Sequence, residues 1–92
     1  MSNAKQEILS IKRDSDSIDG KVLNFLKTSP ISPGSTLSDV VMVTLKAHWL
    51  PLVLYSQGVR GEQLRVPTLW ALHQLEAQIN LIRRICGIDP NY

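Results

Sequence analysis

The 92-residue sequence lacks most of the features that mark secreted proteins. It has one cysteine, Cys86, so no disulfide can form within the chain. A single thiol fits a reducing compartment, and we expect a cytoplasmic protein. The first residues lack the basic segment followed by an apolar segment that is typical of a signal peptide.

Long apolar runs are also absent. The longest, residues 49–55, is much shorter than the roughly 20 residues that a membrane-spanning helix needs, and Pro51 interrupts it. We therefore expect no association with a membrane.

The sequence also lacks the motifs of catalysis and metal binding. It has no glycine-rich phosphate loop, no nucleophile–base pair and no pair of catalytic carboxylates. The aspartates of residues 14–19 are not followed by the later ligands of a calcium loop. His48, His73 and Cys86 do not have the short spacing of zinc ligands, and Cys86 is expected to be a buried thiol. We predict that the protein is not an enzyme and needs no metal or cofactor.

Apolar residues, by contrast, are plentiful. They make up 43% of the chain, which is more than the thin core of one small domain can hide. Self-association follows as the simplest expectation. The net charge of +2 is too small to indicate nucleic-acid binding by itself.

Near the N-terminus, residues 7–13 alternate in a way that predicts a short strand. Leu9 and Ile11 share one face of this strand, and Ser10 and Lys12 share the other. A strand without a neighbour leaves backbone groups unpaired, so we expect it to pair with a second copy. The alternative is that residues 5–13 form a disordered tail.

Three helices are predicted after the strand. Residues 14–17 are N-cap formers, and the first helix is expected to bury Ile18, Val22, Phe25 and Leu26. The second helix begins at Leu37, is apolar nearly all round from 40 to 54, and should be kinked or divided near Pro51. Gly58 and Gly61 mark the next break. The third helix has Pro67 in its first turn and ends at Gly87.

This order of elements resembles the ribbon-helix-helix family of DNA-binding proteins, in particular the plasmid-partition adaptors called ParR and the Arc/CopG/MetJ repressors. The residues that carry the resemblance are the alternating segment 7–13, the helix 17–27, the turn 33–36 and the helix 37–57. The resemblance implies a mainly α fold: a ribbon-helix-helix dimer in which one N-terminal strand pairs between chains, followed by two helices and a C-terminal helical extension.

The resemblance also implies a set of binding residues. In this family the paired strands enter the major groove of DNA and read the bases, while the start of the second helix holds a phosphate. The base-reading residues would be Ile8, Ser10 and Lys12; the phosphate-binding residues would be Lys5, Ser35, Thr36 and Leu37; and the dimer core would contain Leu9, Ile11, Val41, Leu45 and Trp49. Ile8 departs from the pattern, because it can at best touch a thymine methyl group.

The sequence thus predicts three parts: residues 1–4 as a tag or disordered N-terminus, 5–58 as the unit for dimerisation and DNA binding, and 59–92 as the extension. The expected function is sequence-specific DNA binding by a homodimer or higher oligomer, in plasmid partition or transcriptional autoregulation. Double-stranded DNA is the expected ligand, and the C-terminal helices would bind a motor ATPase or a toxin. Two alternatives stay open, namely a small protein–protein adaptor without DNA binding and an antitoxin-type repressor.

Overall fold

A computed structural model describes residues 5–28 and 34–88 of the chain. They form three helices, α1 (Ile18–Thr28), α2 (Leu37–Ser56) and α3 (Glu62–Cys86). The prediction of a mainly α protein is confirmed. The chain divides into two compact units, Met1–Leu37 (unit 1) and Ser38–Tyr92 (unit 2).

Residues 5–14, which contain the predicted strand, form neither helix nor strand in the single chain. A ribbon strand acquires its hydrogen bonds only from a partner strand. The pairing of residues 7–13 between two copies therefore stays a prediction. Leu9 and Ile11, the two residues that the ribbon would bury, are exposed in the single chain.

The start of α1 is fixed by a local network around Ser17. The Ser17 hydroxyl accepts a hydrogen bond from the Gly20 amide at 3.0 Å and donates one to the Asp14 carbonyl at 2.6 Å. The predicted N-cap in residues 14–17 is thus confirmed, with Ser17 as the capping residue. Asp19 in the first turn forms an exposed ion pair with Arg13 at 2.9 Å.

Gly20 is the one buried residue of α1, and the reason is a close approach of the preceding backbone. A Cβ atom at this position would overlap the Asp14 carbonyl and lie 3.0 Å from the Ser15 Cα. Residues 14–15 therefore pack directly on the first turn of α1, and a side chain at position 20 would displace them.

The expectation that α1 buries its apolar residues is wrong for the single chain. Ile18, Val22 and Phe25 are exposed, and Leu26 is half-buried. The apolar side of α1 consequently stays open.

The predicted break at Gly58 and Gly61 is confirmed, and its hydrogen bonds show why. Gly58 has a φ of 89°, which glycine adopts without strain. Its amide donates to the Tyr55 carbonyl at 3.0 Å, and the Val59 amide donates to the Leu54 carbonyl at 3.0 Å. This pair of bonds is the Schellman pattern that ends a helix.

Arg60 stabilises the same turn. Its guanidinium donates to the carbonyl oxygens of Tyr55 (2.9 Å) and Val59 (2.6 Å) and lies 3.6 Å from the centre of the Tyr55 ring. The turn between α2 and α3 is therefore held by backbone, side-chain and cation–π interactions together.

The helix bounds overturn the expectation for Pro67 and, of the two alternatives for Pro51, exclude a divided helix. Pro51 lies inside α2 without dividing it, since α2 continues to Ser56. Pro67 lies well inside α3 rather than in its first turn, because α3 begins at Glu62. The amides of Leu64 and Arg65 donate to the Gly61 carbonyl, and these bonds start the helix before the proline is reached. At the other end Gly87 has a φ of 72° and terminates α3, as predicted.

Within unit 2 the pattern of burial shows how α2 and α3 pack. The most buried side chains are Ala47 (7% exposed) and Ala71 (2% exposed). Val59, in the turn, is equally distant from both along the chain. Half-buried residues share a face with each alanine, namely Val40, Leu50, Pro51 and Leu54 on α2 and Leu64, Pro67, Thr68 and Leu75 on α3. We conclude that α2 and α3 form an antiparallel hairpin with the two alanines at its contact face.

Candidate DNA-binding and dimer-forming surfaces

The predicted base-reading residues lie on an accessible segment. Ile8, Ser10 and Lys12 are exposed, as is the predicted phosphate ligand Lys5. The carbonyl of Lys12 accepts a hydrogen bond from Arg13 at 2.8 Å, whereas its ammonium group forms no ion pair with another described residue. These side chains are free to meet a ligand, but the single chain does not arrange them on one face of a strand.

The helix whose first turn was predicted to hold a phosphate begins where the sequence indicated. α2 begins at Leu37, with Ser35 and Thr36 exposed just before it and Leu37 half-buried. The first amides of a helix have no carbonyl partner within it and attract anions. Asp39 in the first turn already supplies a negative charge there, which weakens the attraction for a phosphate.

A cleft in unit 1 brings together several basic side chains, of which the sequence had singled out only Lys12. It has a volume of about 330 Å³ and adjoins a second of about 480 Å³, and Ser15 and Asn24 line both. The described residues that line the two clefts include four with basic side chains, namely Lys12, Arg13, Lys21 and Lys27. None of the described lining residues has a carboxylate. Of these four, Arg13 is bound by Asp19 and the lysines form no ion pair with a described residue. No spacing in the sequence predicts this cluster, since α1 and the segment before it must first come together.

The predicted dimer-core residues of α2 come together on one side of the helix. Leu45 and Trp49 lie two residues before and after the buried Ala47, and two residues turn a helix by about 200°. They therefore face away from α3, and they are 38% and 58% exposed. Val41 is half-buried beside them. We call this side the outer face of α2; it also contains residues that the sequence did not single out, Met42, Leu52 and Val53, all of them exposed.

α2 is also long and apolar enough to be compared with a membrane-spanning helix. An 18-residue stretch of this helix has a mean hydropathy of 1.4, and 6% of that stretch is buried. By length and composition alone α2 could cross a membrane, because the apolar run of residues 49–55 is joined to residues 37–48 in a single helix. The core helix of a soluble protein passes the same test of length and composition, but such a helix is mostly buried.

Metal binding finds no support in the described ranges. Residues 5–28 and 34–88 contain no group of three His, Cys, Asp or Glu side chains that could hold a metal ion. Cys86 is exposed rather than buried, so the expectation for its thiol is wrong. It lies in the last turn of α3.

No protein-family model, curated protein or solved structure matches the chain.

Proposed function

We propose that this protein is a homodimeric DNA-binding protein in which residues 7–13 of two copies pair as a ribbon and enter the major groove. The observation that carries the proposal is the exposure of the apolar residues that such a dimer would bury. Leu9 and Ile11 on the N-terminal segment and Leu45 and Trp49 on α2 are all open to solvent in the single chain. Exposed apolar patches of this kind usually mark partner surfaces.

Pairing would also organise the N-terminal segment. In a strand, Leu9 and Ile11 point to one face and Ser10 and Lys12 to the other. Burying the two apolar side chains fixes the register, because a slip by one residue would expose both of them. Lys12 could then donate to guanine, and Ser10 could bond to several bases.

The basic cleft supports contact with the DNA backbone. Phosphate neutralisation by lysine and arginine supplies much of the affinity of proteins for DNA. Lys21 and Lys27 make no ion pair with a described residue and line clefts in which no described residue is a carboxylate. These lysines provide a local concentration of positive charge, although the net charge of the chain is only +2.

The resemblance to partition adaptors and repressors suggests the biological role. We propose plasmid partition or transcriptional autoregulation in the cytoplasm. The hairpin of α2 and α3 is folded and ends in a helix with an exposed apolar stripe, Ile79, Ile82 and Ile85. This stripe is a suitable contact for a protein partner such as a motor ATPase or a toxin.

Selection of bound sites from random duplex DNA tests the proposal. The wild-type protein should select a motif, and the Ser10→Ala/Lys12→Ala variant should lose preference at one or more base pairs. Losing a good base contact typically costs about 1–3 kcal/mol. Lys5→Ala is the control and should lower affinity evenly across sequences. The same motif for wild type and the double variant would exclude the ribbon as the reading element.

A second function is favoured by the same exposed surfaces. A small adaptor that binds only proteins would also leave apolar residues of α2 and α3 uncovered. It would need no strand, in keeping with the absence of regular structure in residues 5–14. A stable dimer without affinity for any duplex at low salt would favour this function.

A further inference from the structure

We propose that two copies of the α2–α3 hairpin associate through the outer face of α2, so that unit 2 by itself holds the dimer together. The inference rests on the homodimer of the proposed function but not on its DNA binding. Sequence reasoning named three residues of this face; the structure shows where the face begins and ends and what occupies the opposite side of the helix.

The exposed residues of the outer face follow the spacing of a helix–helix interface. Met42, Leu45, Trp49 and Leu52 are separated by three, four and three residues. This 3–4 spacing keeps apolar side chains in one line along two facing helices. The same spacing continues to Ser38 and Ser56, where the line becomes polar. The apolar part of the face thus has two defined ends, as expected of a surface that fits one partner.

The hairpin leaves this face free. Ala47 and Leu54 lie on the side of α2 that packs against α3. Leu45 and Trp49 are turned by about 200° from Ala47, so α3 cannot cover them. Among residues 38–88, no other part of unit 2 covers Trp49 or Leu52, which are both 58% exposed.

A second copy fits this face better than a lipid bilayer does. Lys46 and His48 lie on the two edges of the outer face, about 100° to either side of Ala47. A helix that crossed a bilayer would carry both into the hydrocarbon region, where charged and ionisable side chains are expensive. In a pair of helices the edges of the interface stay in water, and both residues keep their hydration.

The size of the face is also sufficient for a dimer. Its exposed apolar residues are 38–58% exposed, and two copies would together remove on the order of 1,000 Å² from water, which is near the lower limit for a specific interface. The face is identical in both copies, as a two-fold symmetric interface requires.

Two aspartate substitutions at equally exposed positions test the inference. Leu52, on the outer face of α2, is 58% exposed, and Val66, in the first half of α3, is 59% exposed. In the single chain Leu52→Asp and Val66→Asp place a charge in similar surroundings, so both variants should keep their far-UV circular dichroism. Only Leu52→Asp would bury that charge in the dimer. We expect its dimer dissociation constant to rise by on the order of 100-fold or more, and that of Val66→Asp to change little.

Sedimentation equilibrium of the full chain at micromolar concentration is the measurement. A dimer for wild type and Val66→Asp and a folded monomer for Leu52→Asp would support the inference. A monomeric wild type, or equal dimerisation of the two variants, would overturn it. Flotation of a monomeric wild type with phosphatidylglycerol vesicles, lost in Leu52→Asp, would instead assign the face to lipid. A wild-type dimer that depends on Leu52 and binds no duplex would leave the inference standing and refute the proposed DNA binding.

Discussion

Replacing Gly20 with alanine tests the packing of residues 14–15 on the first turn of α1. Alanine normally stabilises a helix by about 1 kcal/mol relative to glycine. Here the new methyl group would overlap the Asp14 carbonyl and crowd the Ser15 Cα at 3.0 Å. The backbone of both residues must move away, so we expect Gly20→Ala to destabilise α1 instead of stabilising it.

The size of the loss follows from the bonds that this movement disturbs. The Asp14 carbonyl accepts hydrogen bonds from the Ser17 amide at 3.0 Å and from the Ser17 hydroxyl at 2.6 Å, and the same hydroxyl caps the Gly20 amide. Loss of a cap costs about 1 kcal/mol, and a further hydrogen bond contributes about as much. After subtraction of the gain in helix propensity, we expect Gly20→Ala to destabilise α1 by roughly 1 kcal/mol.

Hydrogen exchange of the α1 amides, followed by NMR, is the appropriate assay because it reports on α1 separately from the larger unit 2. Asn24→Ala is the matched control: Asn24 is an exposed residue in the middle of α1, and alanine there should slow exchange slightly. If Gly20→Ala protected the α1 amides as Asn24→Ala does, residues 14–15 would not pack on the helix and the reasoning would be refuted.

Two further predictions concern the turn of unit 2 and the start of α2. Arg60→Lys removes the planar contact of the guanidinium with the Tyr55 ring and weakens its hydrogen bonds to the Tyr55 and Val59 carbonyl oxygens. It should lower the free energy of unfolding in urea by about 1 kcal/mol. Arg65 forms an exposed ion pair with Glu62 at 4.0 Å, so Arg65→Lys should change the free energy of unfolding much less. Equal effects of the two substitutions would contradict the role of Arg60. Leu37→Pro should keep the fold, since proline is accepted in a first helical turn, and should weaken binding to all DNA sequences alike. Unchanged DNA affinity in a folded Leu37→Pro protein would remove the phosphate site.

Much of the helical framework could be predicted because its signals are local. Ser17 caps α1 through a hydrogen bond within its own turn, and Gly58 and Gly87 end helices because they adopt positive φ. The start of α3 was predicted too late. Pro67 has the residue type of a first helical turn, but the bonds to the Gly61 carbonyl begin the helix earlier. Proline inside a helix removes one hydrogen bond and crowds the carbonyl four residues earlier, a cost that α3 bears at Pro67 without ending there.

The candidate surfaces could be predicted only in part. α2 is apolar nearly all round, so its sequence does not say which side faces α3 and which side stays open. That distinction appears only when Ala47 is found buried and Trp49 exposed. Lys21 and Lys27 become part of a basic cleft only through the packing of α1 on the segment before it. Ribbon formation depends on a second chain, which no pattern within one chain specifies fully.

The salt dependence of DNA binding tests the central proposal most directly. Fluorescence anisotropy of a labelled mixed-sequence duplex would be measured between 50 and 200 mM salt, the range over which phosphate contacts weaken strongly. We expect the logarithm of the binding constant to fall linearly with the logarithm of salt concentration, with a slope of about −0.9 for each phosphate neutralised. Lys21→Ala should reduce that slope by about 1. Absence of binding at 50 mM salt, or an affinity independent of salt, would contradict a DNA-binding function.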